Sequence, residues 1–144
     1  MFHCCSSLSN INGLKNWDVS KGNNFSEMFY YCSSITNINA LQNWNVSNGT
    51  NFYLMFKDCK FSDIKPLENW NVSNGNDFSY MLIACESMSD VKPLENWNVS
   101  NGTNFCCMFD RCRSLSDIKP LLNWNVSKGN HFSDMFHGCS SSLD

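Results

Sequence analysis

An internal repeat runs through the whole chain, with a spacing of 27 residues between most consecutive copies and 26 between one pair. The tryptophans recur at one phase of the repeat, at Trp17, Trp44, Trp70, Trp97 and Trp124. A unit of this length cannot bury its own apolar face, so consecutive units must stack on one another. The sequence therefore predicts one repeat array over residues 1–144. Its repeats start near Met1, Met28, Met55, Met81 and Met108, and a partial repeat starts at Met135.

The first part of each repeat has the apolar spacing of a short amphipathic helix. From Phe78 the apolar residues follow at Met81, Leu82 and Cys85, which is the 0, 3, 4, 7 pattern of one helical face. The same pattern recurs in the other repeats, and a Ser-x-Gly-x-x stretch that could form a turn and cap the helix precedes it. The spacing predicts one short helix per repeat.

The second part of each repeat ends in a Trp-x-Val alternation, such as Trp70-x-Val72, which is typical of a brief strand. Pro66 and its equivalents lie between the two parts, where a helix cannot continue. With Leu67 these residues resemble the L-x-x-L-x-L strand signature of leucine-rich repeats. The predicted fold class is therefore α/β: a right-handed, leucine-rich-repeat-like solenoid of about five turns, with parallel strands on one face and short helices on the other.

Two segments carry a more specific resemblance, which covers the whole chain. Trp-Asn-Val-Ser-Asn-Gly-Thr-Asn-Phe and Met-Phe-x-x-Cys-x-Ser-Leu are similar to the BspA-type leucine-rich repeats of bacterial surface lipoproteins, protists and giant viruses. The resemblance implies adhesion or other protein binding rather than catalysis. One departure is a glycine where the family more often has valine, at Gly22, Gly49, Gly75, Gly102 and Gly129.

The cysteines and asparagines also form columns. One column is inward-facing and predicts a ladder of buried, reduced thiols, at Cys5, Cys32, Cys59, Cys85, Cys112 and Cys139. Cys4, Cys106 and Cys107 are expected to face outward from the predicted helix. Asn45 and its equivalents are expected to stack as side-chain amide ladders along the predicted sheet.

The composition excludes several classes of function. The net charge is −3 and the basic residues are scattered, so we expect no nucleic-acid partner. No apolar run approaches a membrane span, so we expect no membrane insertion. His137 is close to Cys139 in sequence, but the predicted helix places one outside and the other in the core. We expect no enzyme activity, no metal and no cofactor.

The outward helix positions vary between repeats more than the strand positions do, and they predict the binding surface. An exposed aromatic and aliphatic cluster is expected on the convex face at Tyr30, Tyr31, Tyr53, Leu54, Tyr80 and Ile83. The expected partner is a protein or a second copy of the chain.

The sequence thus favours a non-catalytic scaffold for protein binding or adhesion. The alternative is a purely structural array that associates end to end through unpaired strand edges. A third hypothesis is recognition of a regular lattice, such as a glycan or ice, by the asparagine ladder. Free cysteines and the absence of a visible signal peptide favour the cytoplasm, whereas the family resemblance favours the cell surface.

Overall fold

The computed structural model describes residues 1–141, in which each repeat makes one backbone coil and consecutive coils stack in register. The N–H of Phe25 donates to the carbonyl of Asn51 at 2.8 Å, and the N–H of Phe29 donates to that of Met55 at 2.9 Å. Isolated parallel bridges mark the same contact, and they pair Asn24 with Asn51, Asn51 with Asp77, Asp77 with Asn104, and Asn104 with His131. Hydrogen bonds between coils therefore run along the whole stack.

The regular secondary structure consists of five short 3₁₀ helices, one per coil. They are η1 (Asn12–Asn16), η2 (Asn39–Leu41), η3 (Lys65–Leu67), η4 (Lys92–Leu94) and η5 (Lys119–Leu121). Within residues 1–141 there is no α-helix and no strand beyond the isolated bridges. The predicted right-handed α/β solenoid with parallel strands and α-helices is therefore wrong. The three prolines lie in the first turn of η3, η4 and η5, where their fixed φ is compatible with the helix.

The part of each repeat predicted to be an α-helix is instead a run of tight turns, which we call the turn segment: residues 25–32, 52–59, 78–85, 105–112 and 132–139. In the first of these, Glu27 and Tyr31 adopt left-handed φ values of 55° and 54°. Their N–H groups donate to Tyr53 and Lys57 of the next coil, at 2.8 and 2.9 Å. A left-handed residue at every fourth position breaks the i to i−4 hydrogen bonding of an α-helix, and that is why none forms.

The inward spacing of the turn segment is nevertheless as predicted. In residues 52–59 the side chains of Phe52, Met55, Phe56 and Cys59 are fully buried. The first phenylalanines of successive segments form one continuous stack, with ring centroids 5.4 to 5.6 Å apart, at Phe25, Phe52, Phe78, Phe105 and Phe132. A run of turns and an amphipathic helix can thus place the same residues in the core.

The Trp-x-Val part does not form a strand because its hydrogen bonds are local. The N–H of Trp44 donates to Leu41, and the N–H of Gly49 donates to Val46. The indole makes the contact between coils, since Nε1–H of Trp44 donates to the carbonyl of Leu14 at 3.0 Å. Trp70, Trp97 and Trp124 repeat this bond.

The predicted amide ladder at Asn45 and its equivalents is also wrong. The side-chain oxygen of Asn45 accepts the N–H of Ser47 at 3.1 Å, which is an Asx turn within one coil. Two further Asx turns recur along the stack, as at Asn37 and Asn51, although His131 replaces the second of them in the fifth repeat. A different column connects coils: the Nδ2 groups of Asn48, Asn74 and Asn101 donate to serine carbonyls of the preceding coil.

Candidate functional site

The predicted binding residues lie on the outer side of neighbouring turn segments. Leu54 and Ile83 form a second apolar cluster with Ala84 and Cys107, separate from the main core. Three rings and one thiol pack against it, those of Tyr30, Tyr53, Tyr80 and Cys106. We call the predicted set the tyrosine face: Tyr30, Tyr31, Tyr53, Leu54, Tyr80 and Ile83. Five of its six members join this one cluster, and Tyr31 is 41% exposed at its edge.

The prediction that all six side chains are exposed is wrong for two of them. Leu54 is 9% exposed and Ile83 is 7% exposed. Both are buried because the tyrosine rings pack against them. The tyrosines themselves are half-buried or exposed, so the accessible part of the tyrosine face is aromatic and its floor is aliphatic. Its role in binding stays a prediction.

The rings of the tyrosine face hold one another in defined arrangements. Tyr53 and Tyr80 meet edge to face, with centroids 5.9 Å apart, and Tyr30 and Tyr31 do so at 4.6 Å. His3 stacks on Tyr30 at 4.5 Å. The ammonium of Lys57 lies 4.9 Å from the ring centre of Tyr31 and 5.4 Å from that of Tyr30. Such contacts reduce the freedom of large side chains before any partner binds.

Sequence reasoning missed several residues of this surface. His3 and Lys57 lie one repeat before and one repeat after Tyr30, so the 27-residue spacing was the signal that could have found them. Cys107, which was expected to face outward, is buried at 7% exposure beneath the tyrosine face, whereas Cys106 is half-buried. Cys107 has a left-handed φ of 54°, so its side chain points in a direction that an α-helical backbone would not give.

Charges of both signs directly follow three of the turn segments, at Lys60, Glu86 and Arg113. Glu86 lies 3.5 Å from Lys60 and 3.3 Å from Arg113. In the next coil Asp110, which is buried, lies 2.9 Å from Nδ1 of His137. Exposed ion pairs contribute little to stability, but they can orient a partner that carries complementary charges.

The inward cysteine column forms a ladder of hydrogen bonds from thiols to carbonyls, which was not predicted from the sequence. From Cys32 onward each thiol of the column donates to a carbonyl of the preceding coil, as from Cys59 to Phe29 at 3.4 Å and from Cys85 to Phe56 at 3.3 Å. Burial raises the pKa of the Cys59, Cys85 and Cys112 thiols well above the usual range of a cysteine. All nine cysteines are free in this structure. Cys5, at the start of the column, is exposed rather than buried.

Among residues 1–141 no three side chains of His, Cys, Asp or Glu come together in a group that could hold a metal ion. In the same range no helix is long and apolar enough to cross a bilayer.

Two solved structures of Listeria monocytogenes proteins resemble this chain. One internalin is 22% identical with a TM-score of 0.42, over 74% of this chain and 30% of its own. Internalin C2 is 18% identical with a TM-score of 0.31, over 84% of this chain and 64% of its own. This chain thus spans about 30% of the first and 64% of the second.

Sequence comparison gives the family. No curated protein matches the chain significantly. Residues 1–92 and 91–143 both match one family, whose description is "Mycoplasma protein of unknown function, DUF285". The two matches together cover nearly the whole repeat array, and the chain therefore belongs to the DUF285 family.

Proposed function

We propose that this repeat protein is a non-catalytic scaffold that binds another protein through the tyrosine face. One observation carries the proposal: three neighbouring coils place Tyr30, Tyr53 and Tyr80 over an apolar cluster that lies outside the main core. Half-buried tyrosines on a rigid floor are the residues that most often dominate protein interfaces.

The surroundings of the tyrosine face support a protein partner. Lys57 is close to two of the rings, and the Lys60–Glu86–Arg113 group adds both signs of charge at positions that directly follow three turn segments. An apolar centre with a charged rim is typical of protein interfaces. The resemblance to BspA-type leucine-rich repeats also supports adhesion or protein binding.

The test replaces two rings of the tyrosine face. We expect Tyr53→Ser/Tyr80→Ser to weaken partner binding by about 2 kcal/mol or more, roughly 30-fold in Kd. The chain should stay folded with only a modest fall in melting temperature, because both rings lie outside the main core although they cover Leu54 and Ile83. The matched control is Gln42→Ser/Glu68→Ser, two exposed positions near the 3₁₀ helices. The readout is quantitative affinity capture, with partners identified by mass spectrometry and their affinities then measured by titration.

The control should retain every partner that the unsubstituted chain captures. Equal loss in both double variants would mean that the tyrosine face is not the binding site. Unfolding of Tyr53→Ser/Tyr80→Ser would mean that these rings belong to the structural core.

A second candidate function is structural self-association, favoured by the last described coil. Leu122 is 78% exposed and Phe132 is 40% exposed. They line an open apolar cavity of about 280 Å³ together with Leu121, Trp124 and Phe136. A second copy of the chain is the occupant proposed for this surface. Sedimentation over a concentration series separates the two functions: growth that Leu122→Ser/Phe132→Ser abolishes supports the structural array, and a monomer that still captures its partner supports the scaffold.

A further inference from the structure

Two neighbouring cysteines beside the tyrosine face hold their sulfurs in contact. The Sγ atoms of Cys106 and Cys107 are 3.5 Å apart. Cys107 adopts a left-handed φ of 54°, so the turn brings adjacent side chains together that would diverge in an extended chain. The hydroxyl of Tyr80 lies 3.8 Å from Sγ of Cys106, and the carbonyl of Ser133 lies 3.7 Å from Sγ of Cys107.

The surroundings of the pair combine an apolar wall with an open side. Cys107 is buried at 7% exposure and packs in the cluster of Leu54, Ile83 and Ala84. Cys106 is half-buried and gives access from solvent. A ligand that joins both sulfurs would therefore lie against an apolar floor at the edge of the tyrosine face.

The other cysteines lack this arrangement. Cys4 and Cys5 are also adjacent in sequence, but both are exposed and Sγ of Cys5 is directed at the carbonyl of His3, 3.9 Å away. The core thiols donate to carbonyls of neighbouring coils, as Cys85 does to Phe56. Cys106–Cys107 is thus the preorganised dithiol among the described residues.

We propose that Cys106 and Cys107 form a chelating dithiol site for a trivalent arsenical. Soft sulfur ligands favour soft, thiophilic centres, and two sulfurs already in contact can bind one arsenic without rearrangement of the backbone. For an arsenoxide, two S–H bonds and the arsenic–oxygen bonds break while two arsenic–sulfur bonds form. Both thiol protons leave with the oxygen as one water molecule. Arsenic remains trivalent, so the step needs no oxidant or reductant.

The same site is poorly suited to thiol–disulfide exchange. Burial raises the pKa of Cys107 to about 11, so its thiol is neutral at pH 7. Exchange requires a thiolate nucleophile, and a neutral buried thiol attacks a disulfide slowly. Condensation with an arsenoxide instead starts from neutral thiols, and both of their protons leave in the water molecule that forms.

The test uses phenylarsine oxide with the full chain at pH 7. Intact mass spectrometry should show one phenylarsenic per chain at limiting reagent, together with the loss of two alkylatable thiols. The control Cys4→Ser/Cys5→Ser should keep this adduct unchanged. Cys106→Ser/Cys107→Ser should bind the reagent at least about tenfold more weakly, because the remaining exposed pair is not preorganised. Competition with a small dithiol then gives the relative affinities.

Two results would overturn the assignment. One is an adduct that persists undiminished in Cys106→Ser/Cys107→Ser, and the other is its loss in Cys4→Ser/Cys5→Ser. If Cys106→Ser/Cys107→Ser fails to fold, the single variant Cys106→Ser tests the assignment instead. Its half-buried sulfur can be removed without opening the core, and the one sulfur that remains cannot chelate arsenic. Peptide mapping of the adduct to Cys106 and Cys107 gives an independent readout.

Discussion

Replacement of Phe78 by alanine is expected to lower the free energy of unfolding by about 3 to 5 kcal/mol. Phe78 is fully buried in the middle of the stack. Its ring lies 5.5 Å from that of Phe52 and 5.6 Å from that of Phe105, so its loss leaves a cavity between three coils. Because each coil is stabilised by its neighbours, damage at a central coil weakens two interfaces at once. Chemical denaturation measures the change.

Phe132 provides the matched control in the same column. It is 40% exposed and stacks on Phe105 at 5.4 Å. Phe132→Ala should therefore cost only about 1 kcal/mol. Equal losses in Phe78→Ala and Phe132→Ala would contradict a stack in which the central phenylalanines are buried between coils.

Replacement of Gly49 by alanine is expected to destabilise the chain by about 1 to 3 kcal/mol, through overpacking. A Cβ at this position would lie 2.6 Å from Cζ of Phe52, 2.9 Å from the carbonyl oxygen of Val46 and 3.0 Å from the ring of Phe25. The backbone oxygen cannot move aside without breaking the turn in which Gly49 N–H donates to Val46. Glycine is needed here for space, since its φ is outside the left-handed region.

Gly13→Ala is the control for this substitution. Nothing lies within 4 Å of the Cβ position at Gly13, which is exposed in η1. Its stability should stay within about 0.5 kcal/mol of the unsubstituted chain. A neutral or stabilising Gly49→Ala, measured by the same denaturation curves, would show that Phe52 does not pack against the glycine.

The repeat period and the inward positions could be predicted from the sequence, and the backbone conformation could not. The spacing of Phe52, Met55, Phe56 and Cys59 specifies which side chains are buried, because any backbone that turns about once in four residues directs them inward. Hydrophobic spacing alone does not distinguish an α-helix from a run of tight turns. Hydrogen bonds to the next coil decide between them, and these depend on stacking rather than on local sequence.

The left-handed residues explain why the run of tight turns could not be predicted from the sequence. Apart from Gly138, the residues with positive φ carry side chains, such as Leu54, Asp58 and Tyr80. A residue of this type in a left-handed conformation costs roughly 1 to 2 kcal/mol, so glycine is the usual marker. From Cys4 to Arg111 each such residue donates its N–H to the next coil, as Leu54 does to Ser79 at 3.2 Å. Stacking thus stabilises a conformation that one repeat alone would not adopt.

The Asx turns, by contrast, could have been predicted from the sequence. Asn or Asp recurs at three fixed positions of the repeat, with His131 as the exception, and both residue types favour turns through their side-chain oxygens. For the candidate site, the repeat spacing places Tyr30, Tyr53 and Tyr80 of neighbouring coils against one apolar cluster. It could not show that Leu54 and Ile83 would lie beneath the rings, because that depends on the left-handed turns.

In this structure the turn segments form hydrogen bonds with neighbouring coils and are not α-helices. Scalar couplings across hydrogen bonds, measured by NMR between an amide nitrogen and a carbonyl carbon, test it at a single residue. The structure predicts a coupling from the amide of Phe56 to the carbonyl of Met81, a bond of 2.9 Å between coils. A coupling from Phe56 to the carbonyl of Phe52, four residues earlier as in an α-helix, would contradict it.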